Sequence, residues 1–367
     1  MKILEIIDTL QSGGGERFVV DLCNEMSKTE EVILLTLRTN DTNDFYRNQL
    51  NINVKQIIYN GSGSLINRLY QMWITLVVIS KNRPDIVHVH LQGFIYSILP
   101  RLFFPKIKYF YTVHNVADKD ASKGIVQRLR RIFLKSKIKA IAISKACGDS
   151  FIHFYGYKPY KVIYNGCRIL SISKNFFSVR EEIDRLKIDN KTKVFITVAR
   201  IQPQKNQRLL IESFNQIINE GNNAILLIVG DWVGYNSLYE ELVDIANERV
   251  HFLGTRTNVA DYLALSDFFC LSSLWEGLPI SLLEAGYMGC FPICTPVGGI
   301  VDVIKSDEQG ILSNTVSIDD YKFAIKKALT FDIDRNKISN YYIKNYSISN
   351  TANIYLECFK GQIYENI

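Results

Sequence analysis

The sequence predicts an α/β protein of two domains, each built around a parallel sheet. In both halves of the 367-residue chain, short apolar strands alternate with segments of helical periodicity, which is the pattern of repeated strand–helix–strand units. Segment 224–230 (AILLIVG) is apolar almost throughout, as is typical of a strand buried on both faces of a parallel sheet. The length corresponds to roughly two average domains, and 47 % apolar residues suffice to fill two cores.

The distribution of charge supports a domain boundary near residue 170. The whole chain carries a net charge of +6. Residues 1–170 hold 24 Lys and Arg against 13 Asp and Glu, a net +11, which leaves −5 for residues 171–367. We therefore expect the first domain to be attracted to anionic surfaces.

Composition and segment length also restrict where the protein works. The seven cysteines are odd in number and contain no Cys-x-x-Cys pair, so we expect reduced, mostly buried thiols in a cytoplasmic protein. Residues 1–7 have the character of a buried strand and not of a secretory signal. The longest apolar run, 72–79, is far shorter than the roughly 20 residues that span a bilayer, so no membrane span is predicted.

In the first half, the glycine-rich turn 12–17 follows the first strand and leads into a helix. A strand, a glycine turn and a helix form a phosphate cradle, so Gly14 and Gly15 are candidate ligand contacts. We assign the polar stretch 171–190 to the crossing between domains and place acceptor-side loops at 61–65, 91–105 and 116–123. The predicted strands are 2–8, 31–37, 54–58, 85–90, 108–114, 140–144 and 161–164, and the predicted helices include 65–81 and 123–139.

Histidines mark two of these strands. Strand 108–114 delivers His114 to its carboxyl end, which is where ligands bind in parallel sheets. His88 and His90 alternate on one face of strand 85–90. No further histidine or acidic residue lies at a sequence spacing typical of metal ligands, so we expect packed histidines and no metal site.

Segment Lys123–Lys139 combines apolar residues at helical spacing with Lys and Arg throughout and no acidic residue. The pattern predicts an amphipathic helix packed on the sheet. Its positive charge also makes it the leading candidate for peripheral contact with anionic lipid headgroups. No nucleic-acid recognition motif accompanies it, and we expect no nucleic-acid partner.

The second half repeats the alternation of strands and helices. Arg200 and Lys205 follow strand 193–199, and two cations at the carboxyl end of a strand can clamp a diphosphate. A solvated pair of surface cations is the alternative. The remaining predicted strands are 224–230, 250–253, 268–271 and 291–295, and the predicted helices are 207–219, 258–266, a helix from Pro279, and 347–364.

Stretch 272–286 (SSLWEGLPISLLEAG) brackets the helix start at Pro279 with two carboxylates, Glu276 in the preceding loop and Glu284 inside the helix. Gly277 lets the backbone approach a ligand, and free amide N–H groups with the helix dipole suit phosphate between the two carboxylates. A sugar nucleotide matches this arrangement, whereas the alternative is two solvated glutamates. A second glycine turn, 296–299, could bring backbone amides to the same phosphates.

Taken in order, these motifs resemble the family 4 retaining glycosyltransferases. Three departures affect the loops near the donor: Asn206 in place of a glycine, Tyr164 in place of a proline, and Trp232 after Gly230-Asp231. The motifs that carry the likeness are Gly13-Gly14-Gly15-Glu16-Arg17, Thr112-Val113-His114-Asn115, Val162-Ile163-Tyr164-Asn165-Gly166, Val198-Ala199-Arg200 with Lys205-Asn206, Ile228-Val229-Gly230-Asp231, Glu276 to Glu284 with the family's Glu-x7-Glu spacing, and Pro296-Val297-Gly298-Gly299.

The resemblance implies a GT-B architecture, in which two Rossmann-like, doubly wound domains face a central cleft. It implies an acceptor-binding domain at 1–170, a donor-binding domain at 171–346, and a carboxy-terminal helix at 347–367 that returns to the first domain. The implied reaction is metal-independent, retaining transfer from a nucleotide-sugar donor, in the family most often a UDP-sugar. The acceptor would be a lipid-linked glycan or polysaccharide for capsule, exopolysaccharide or O-antigen, made at the inner face of the bacterial membrane without a cofactor.

The same resemblance implies roles for individual residues. Arg200 and Lys205 would hold the donor diphosphate, Glu284 the ribose and Glu276 the transferred sugar. His114 would contact the sugar or its departing oxygen. The full set of implied catalytic and donor-binding residues is His114, Gly14, Gly15, Arg200, Lys205, Gly230, Glu276, Gly277, Leu278, Pro279 and Glu284.

Two other functions remain open from sequence. A sugar-nucleotide epimerase of the same architecture would need acid and base carboxylates in the first domain, where Asp85 and Asp118 are the candidates. A non-catalytic sugar-nucleotide-binding subunit is the other. A glycosidase is disfavoured because Glu276 has no second carboxylate at an evident pairing position.

Overall fold

The computed structural model describes residues 1–38, 44–62, 64–120 and 124–362, apart from the side chains of Leu65, Ile125 and Val126. The chain divides into two compact units, one formed by Met1–Arg168 with Tyr346–Ile367 and the other by Ile169–Asn345. The chain therefore passes from one unit to the other twice, close to residues 170 and 346 where the sequence places the domain boundaries.

A seven-stranded sheet forms the centre of the first unit. All its strand pairs are parallel, in the order β3-β2-β1-β4-β5-β6-β7. Successive strands are added to one side of β1 as far as β3 and to the other side from β4 onward, so the strand order reverses between β1 and β4. The elements are β1 Lys2–Ile7, α1 Gly14–Met26, β2 Glu31–Thr36, β3 Lys55–Ile58, α2 Leu65–Asn82, β4 Ile86–His90, α3 Phe94–Phe103, β5 Lys108–Val113, α4 Ala117–Asp120, α5 Ile125–Ser136, β6 Lys139–Ala142, α6 Lys145–Tyr155 and β7 Lys161–Val162, with 3-10 turns at Arg47–Gln49 and Leu91–Gly93.

The second unit repeats this plan with six strands. Its sheet is parallel in the order β10-β9-β8-β11-β12-β13, and the reversal lies between β8 and β11. Ligands of such sheets bind outside the carboxyl ends of the strands at the reversal. The elements are α7 Phe176–Leu186, β8 Lys193–Val198, α8 Gln207–Asn219, β9 Ala224–Val229, α9 Asn236–Ile245, β10 Val250–Gly254, α10 Val259–Leu265, β11 Phe268–Leu271, α11 Ile280–Tyr287, β12 Phe291–Cys294, α12 Ile300–Val303, β13 Ile311–Leu312, α13 Ile318–Leu329 and α14 Arg335–Asn345, with a 3-10 turn at Pro203–Lys205.

The final helix, α15 (Ile348–Lys360), belongs to the first unit and packs on α1. Tyr355 and Phe359 of α15 are buried, and Lys108 Nζ donates to the Phe359 carbonyl oxygen at 3.1 Å. Gly166 lies against the start of this helix, where a Cβ atom would come within 2.6 Å of the Ser347 carbonyl oxygen. A glycine is therefore required where the chain passes α15.

Three segments predicted as loops or as a domain crossing contain helices. Segment 116–123 holds α4, and its residues 121–123 lie outside the described residues. The predicted loop 91–105 holds α3, whose ten residues include Pro100, a residue type that argues against a helix interior in a sequence. The predicted crossing 171–190 holds α7, which buries only Val179 and Ile183. Its Glu182 accepts hydrogen bonds from Tyr262 (2.7 Å) and Arg256 (3.2 Å), so this polar stretch is part of the second unit. These helices were not predicted, and the loops expected within 91–105 and the crossing expected at 171–190 are restricted to the residues around them.

The seven cysteines are all buried, as predicted, and each is free. Among the described helices, none combines the length and apolar character that crossing a bilayer requires.

Candidate functional site

In the second unit, the candidate site begins with the loop between β8 and α8. Ser272 Oγ donates to the carbonyl oxygens of Lys205 (3.0 Å) and Asn206 (2.9 Å), and Gln204 Nε2 donates to the Trp275 carbonyl oxygen at 2.8 Å. These bonds tie the loop that carries the predicted cations to the loop that carries the predicted carboxylate. Asn206 has a left-handed backbone with φ of 49°, a conformation that asparagine tolerates better than most side chains, which explains how it replaces the family's glycine.

The two loops meet in an ion pair. Lys205 Nζ lies 2.5 Å from Glu276 Oε1, and Ser273 Oγ donates to the same oxygen at 2.6 Å. The Glu276 side chain is only 6 % exposed and that of Lys205 17 %, so the pair is largely shielded from water. Sequence reasoning identified both charged residues but missed Ser273 and Gln204, whose hydroxyl and amide hold the loops together.

Two glycines shape this site for steric reasons. Gly298 has φ of 53°, and a Cβ atom there would lie 1.9 Å from the Glu276 carbonyl oxygen. Gly230 has φ of 154°, and a Cβ atom there would lie 2.0 Å from the Ala199 carbonyl oxygen, next to Arg200. The predicted supply of amides from turn 296–299 is wrong for Gly299, because its N–H donates to the Gly277 carbonyl oxygen at 2.6 Å. Turn 296–299 therefore packs against the backbone of the loop that carries Glu276.

The helix after Glu276 starts one residue later than predicted. Pro279 has an extended backbone (φ −70°, ψ 124°) and is the N-cap of α11, which begins at Ile280. Leu278 is 3 % exposed, so its side chain packs in the core and does not face a ligand. Glu284 lies inside α11, as predicted, and is half-buried.

Arg200 differs from Lys205 in its surroundings. Its carbonyl oxygen accepts from Gln207 Nε2 at 2.9 Å, which fixes the backbone. Its side chain is exposed, and no partner of the guanidinium is found among the described residues. The loop therefore presents one cation already paired with a carboxylate and one that is available to an anion.

In the first unit, the glycine turn opens α1. Gly13 is the N-cap of the helix and Gly14, its first residue, is exposed. A Cβ atom on Gly15 would lie 3.2 Å from the Leu91 side chain, so the turn packs closely against the segment that follows β4. Arg17 of the same motif is buried, where its Nε donates to Asp21 Oδ2 at 2.9 Å, and it serves the fold.

His114 lies directly after β5 and is half-buried. Its Nε2 lies 2.9 Å from His90 Nδ1, and its ring contacts the edge of Phe18 with a centroid distance of 5.8 Å. The His114 backbone N–H bonds the carboxylate of Asp120 in α4. His114 is thus held from three elements at the carboxyl edge of the sheet.

Behind His114, the two predicted strand histidines have a partner that the sequence analysis missed. Glu5 stands opposite His88 in the β1–β4 register, and its carboxylate contacts His88 Nδ1 (2.9 Å) and His90 Nε2 (2.7 Å). All three side chains are fully buried. One feature of the sequence could have indicated this partner: Glu5 is a single glutamate within the apolar part of strand KILEII. The expectation that no acidic partner stands near these histidines was wrong, because pairing brings Glu5 across from a distant segment.

The environment shifts the pKa of several of these groups. Burial raises the pKa of Glu5, but His88 and His90 outweigh it and lower that pKa to about 2. Burial and neighbouring His88 lower the pKa of His90 to about 4. Burial, with His90 and His88 nearby, lowers the pKa of His114 well below its ordinary value. At neutral pH, Glu5 is therefore ionised, and His90 and His114 are uncharged.

Neither of the two carboxylates proposed for an epimerase, Asp85 and Asp118, lies beside His114. Asp85 precedes β4 and accepts from the Lys2 backbone N–H at 2.8 Å, so it lies at the opposite edge of the sheet from His114. Asp118 is exposed on α4. The geometry thus offers no acid and base pair from these two carboxylates.

Comparison with known proteins agrees with the motifs. Residues 12–169 match the model of Glycosyltransferase Family 4, and residues 178–345 match that of Glycosyl transferases group 1. The chain is 30 % identical over 298 residues to the UDP-Gal:alpha-D-GlcNAc-diphosphoundecaprenol alpha-1,3-galactosyltransferase of Escherichia coli, covering 77 % of this chain and 74 % of the relative.

Two further relatives extend the likeness over nearly the whole chain. It is 24 % identical over 361 residues to the GalNAc-alpha-(1->4)-GalNAc-alpha-(1->3)-diNAcBac-PP-undecaprenol alpha-1,4-N-acetyl-D-galactosaminyltransferase of Campylobacter jejuni, covering 94 % of this chain and 92 % of that one. The crystal structure of Anabaena HepE in complex with UDP and glucose matches with a TM-score of 0.82 at 18 % identity, covering 98 % and 100 % of the two chains. The predicted GT-B fold of two Rossmann-like domains is confirmed. The chain belongs to the group 1 glycosyltransferases and is an enzyme of that family.

Proposed function

We propose that this glycosyltransferase moves a sugar from a UDP-sugar to a glycan carried on undecaprenyl diphosphate, with retention of configuration and without a metal ion. The observation that carries the proposal is the ion pair of Lys205 and Glu276 (2.5 Å), in the same loop system as the exposed Arg200. These side chains lie where the strands of the second sheet end. Such a site offers cations for a diphosphate and a carboxylate for sugar hydroxyls.

The donor and the acceptor are inferred from relatives. The Escherichia coli relative is named for a UDP-Gal donor and a diphosphoundecaprenol acceptor, and the Campylobacter relative is also named for an undecaprenol-linked acceptor. The Escherichia coli name also specifies an α-1,3 product. Because UDP-galactose carries its sugar in α linkage, an α product corresponds to retention, which supports the same outcome here.

The chemistry follows from the charges. As the bond between sugar and diphosphate breaks, the sugar becomes oxocarbenium-like and the diphosphate gains negative charge. Arg200 is free to bind this charge as a planar fork, and Lys205 adds a second cation. Glu276, held by Ser273, is oriented to accept hydrogen bonds from sugar hydroxyls. Two cations and the amino end of α11 thus supply the stabilisation that a divalent metal provides in other transferases.

The proposal is tested by direct assay of the purified full-length chain. We expect transfer from one UDP-sugar, and not from GDP- or ADP-sugars, to a short-chain polyprenyl-diphosphate sugar, with an α linkage in the product by NMR. We expect EDTA to leave the rate unchanged. Strict preference for another nucleotide would refute the donor class, a β linkage would refute retention, and loss of activity in EDTA that is restored by Mg²⁺ or Mn²⁺ would refute metal independence.

A membrane-linked acceptor requires access to the bilayer, and the first unit has a suitable surface. The described part of the basic helix predicted at Lys123–Lys139 is α5, which buries Phe133 and Leu134 and leaves Leu129 and Ile132 partly exposed. At its end lies an open pocket of about 430 Å³, whose lining includes seven cations and no acidic residue. The cations are Arg101, Lys106, Lys108, Lys135, Lys137, Lys139 and Lys158.

The neighbouring helices extend this surface. Helix α2 packs on α3, and α3 packs on α5. Exposed apolar side chains on α2 follow an i, i+3, i+4, i+7 stripe, and two more stand at the end of α3. Apolar and aromatic residues beside a cluster of cations are typical of a surface that binds the membrane interface, so we propose peripheral contact with anionic lipid here. The exposed side chains are Ile66, Leu69, Tyr70, Trp73, Leu102 and Phe103.

Vesicle flotation tests this contact. We expect the protein to float with phosphatidylglycerol vesicles and not with phosphatidylcholine vesicles. Reversing two exposed cations in R128E/K135E is expected to weaken binding at least about thirtyfold, because each lost cation removes about 1 kcal/mol and each new carboxylate is repelled by the anionic surface. The control K191E/K193E makes the same change of charge in the second unit and should float like wild type. Equal flotation with both vesicle types, or no effect of R128E/K135E, would contradict the contact.

A further inference from the structure

A chain of buried hydrogen bonds runs from α15 to His114 through the first sheet. Tyr355 Oη contacts Thr112 Oγ1 at 3.0 Å, and Thr112 Oγ1 contacts His88 Nε2 at 2.8 Å. His88 Nδ1 and His90 Nε2 both contact the Glu5 carboxylate, and His90 Nδ1 contacts His114 Nε2 at 2.9 Å. Only the last residue, His114, is partly exposed.

The carboxylate of Glu5 determines the direction of these bonds. An ionised carboxylate can only accept hydrogen bonds, so each histidine nitrogen that faces it carries a proton. The proton of His90 is therefore on Nε2. The low pKa of Glu5, about 2, agrees with an ionised group.

The proton on His90 Nε2 also determines which residue donates in the hydrogen bond between His90 and His114. An uncharged imidazole has one proton, and that of His90 is already used toward Glu5. His90 Nδ1 is therefore an acceptor, and His114 Nε2 must be the donor across the 2.9 Å contact. The remaining nitrogen, His114 Nδ1, has no proton, and it has no partner among the described residues.

We propose that Glu5, His88 and His90 are positioning residues that hold His114 in the tautomer protonated on Nε2, so that Nδ1 is an obligatory hydrogen-bond acceptor for a sugar hydroxyl. The nature of that hydroxyl partner rests on the proposed function, whereas the tautomer rests on the buried contacts and on an uncharged His90. Which ring nitrogen a histidine offers is commonly determined by the bond that the other nitrogen makes.

This arrangement distinguishes the two roles predicted for His114. A nitrogen without a proton can accept from a hydroxyl, but it cannot donate to the departing diphosphate oxygen. The structure thus assigns His114 to recognition of a sugar hydroxyl and leaves the stabilisation of the diphosphate to Arg200 and Lys205.

The same three buried side chains also have the composition of a metal site. One ligand atom from each of Glu5, His88 and His90 lies within 4.8 Å of the others. The Glu5 carboxylate lies 2.9 Å from His88 Nδ1 and 2.7 Å from His90 Nε2, which are hydrogen-bond distances, and all three side chains are fully buried. The hydrogen-bonded chain accounts for the cluster without an ion, and a bound metal is therefore an outcome that the experiment must be able to detect.

Long-range ¹H–¹⁵N correlation spectra of the full-length protein labelled with ¹⁵N-histidine test the tautomer directly. The chain contains five histidines, and the His114 signals are identified by their loss in His114→Gln. At pH 7 we expect a protonated Nε2 and an unprotonated Nδ1 for His114. A proton on Nδ1, a doubly protonated ring, or a stoichiometric transition metal in the purified protein would overturn the proposal. This readout does not depend on activity, so it remains decisive if the donor or acceptor is misassigned.

Kinetics test the consequence for recognition. With deoxy analogues of the accepted donor and acceptor, one missing hydroxyl should lower kcat/KM about tenfold in wild type, the effect of one uncharged hydrogen bond. His114→Ala should not distinguish that analogue from its parent. Undiminished discrimination in His114→Ala would overturn the assignment to a hydroxyl.

Glu5→Gln tests the positioning role. Glutamine is uncharged and carries an NH2 donor beside its oxygen, so residue 5 no longer requires both facing histidine nitrogens to donate to it. We expect a mixed population of His114 tautomers by NMR and a reduced discrimination against the same deoxy analogue. The control Glu31→Gln changes an exposed carboxylate on the neighbouring strand and should leave both readouts as in wild type. If a folded Glu5→Gln keeps the wild-type tautomer and discrimination, the positioning role is wrong.

Discussion

Lys205→Ala is expected to lower kcat/KM by about a thousandfold, the effect of removing one preorganised charge that stabilises a developing anion, or roughly 4 kcal/mol. Lys205 lies in a largely buried position against Glu276. Its charge is therefore little screened by water. A continuous assay of UDP release at saturating acceptor measures the change.

Two control variants distinguish the loss of the Lys205 charge from a general loss of stability at the site. Lys193→Ala removes an exposed lysine from the first position of β8, the strand that leads to the Lys205 loop, and should retain wild-type kinetics. Among the described residues, removing Lys205 leaves the buried Glu276 carboxylate with Ser273 as its one side-chain partner, so K205A/E276Q should recover stability without recovering rate. Near wild-type transfer by Lys205→Ala would refute its role at the diphosphate.

Gly298→Ala is expected to destabilise the second unit by about 3 kcal/mol and to abolish most activity. The added methyl group would meet the Glu276 carbonyl oxygen at 1.9 Å, and the left-handed φ of 53° is itself unfavourable for alanine. The Glu276 loop must therefore move. For a domain of this size, the loss corresponds to a decrease in Tm of roughly 10 °C, measured by thermal unfolding.

Gly221→Ala provides the matched control. Gly221 has φ of 87° in the same unit, and a Cβ atom there has no neighbour within 4 Å. This substitution carries the backbone cost of about 1 kcal/mol without the clash, and its activity should be that of wild type. Equal effects of the two substitutions would show that the clash with Glu276 is not the cause.

Much of the fold was predictable because its signals are local. Strands such as β8 and β9 are short apolar runs bounded by polar residues, and the helix predicted at 207–219 has the observed bounds of α8. The two missed helices have different local causes. Helix α3 contains Pro100, which argues against a helix interior, and α7 is too polar to stand out from a linker.

The candidate site was predictable in its charged residues but not in its contacts. Glu276 and Lys205 are recognisable by type and position, yet they are 71 residues apart in the chain and meet only because β8 and β11 are neighbours in the sheet. The backbone of Asn206 and the close approach of Gly298 to Glu276 likewise follow from how the loops pack, which residue types alone do not specify.

The sequence by itself determined the alternation of strands and helices, the uneven charge of the two halves, and the motifs that mark the family. These depend on residues close together in the chain. Only the tertiary structure decided that Lys205 pairs with Glu276, and that Glu5 joins His88 from 83 residues away to organise the ring of His114. The physical reason is that strand order and register bring these side chains within hydrogen-bond distance, and neither property is a local feature of the sequence.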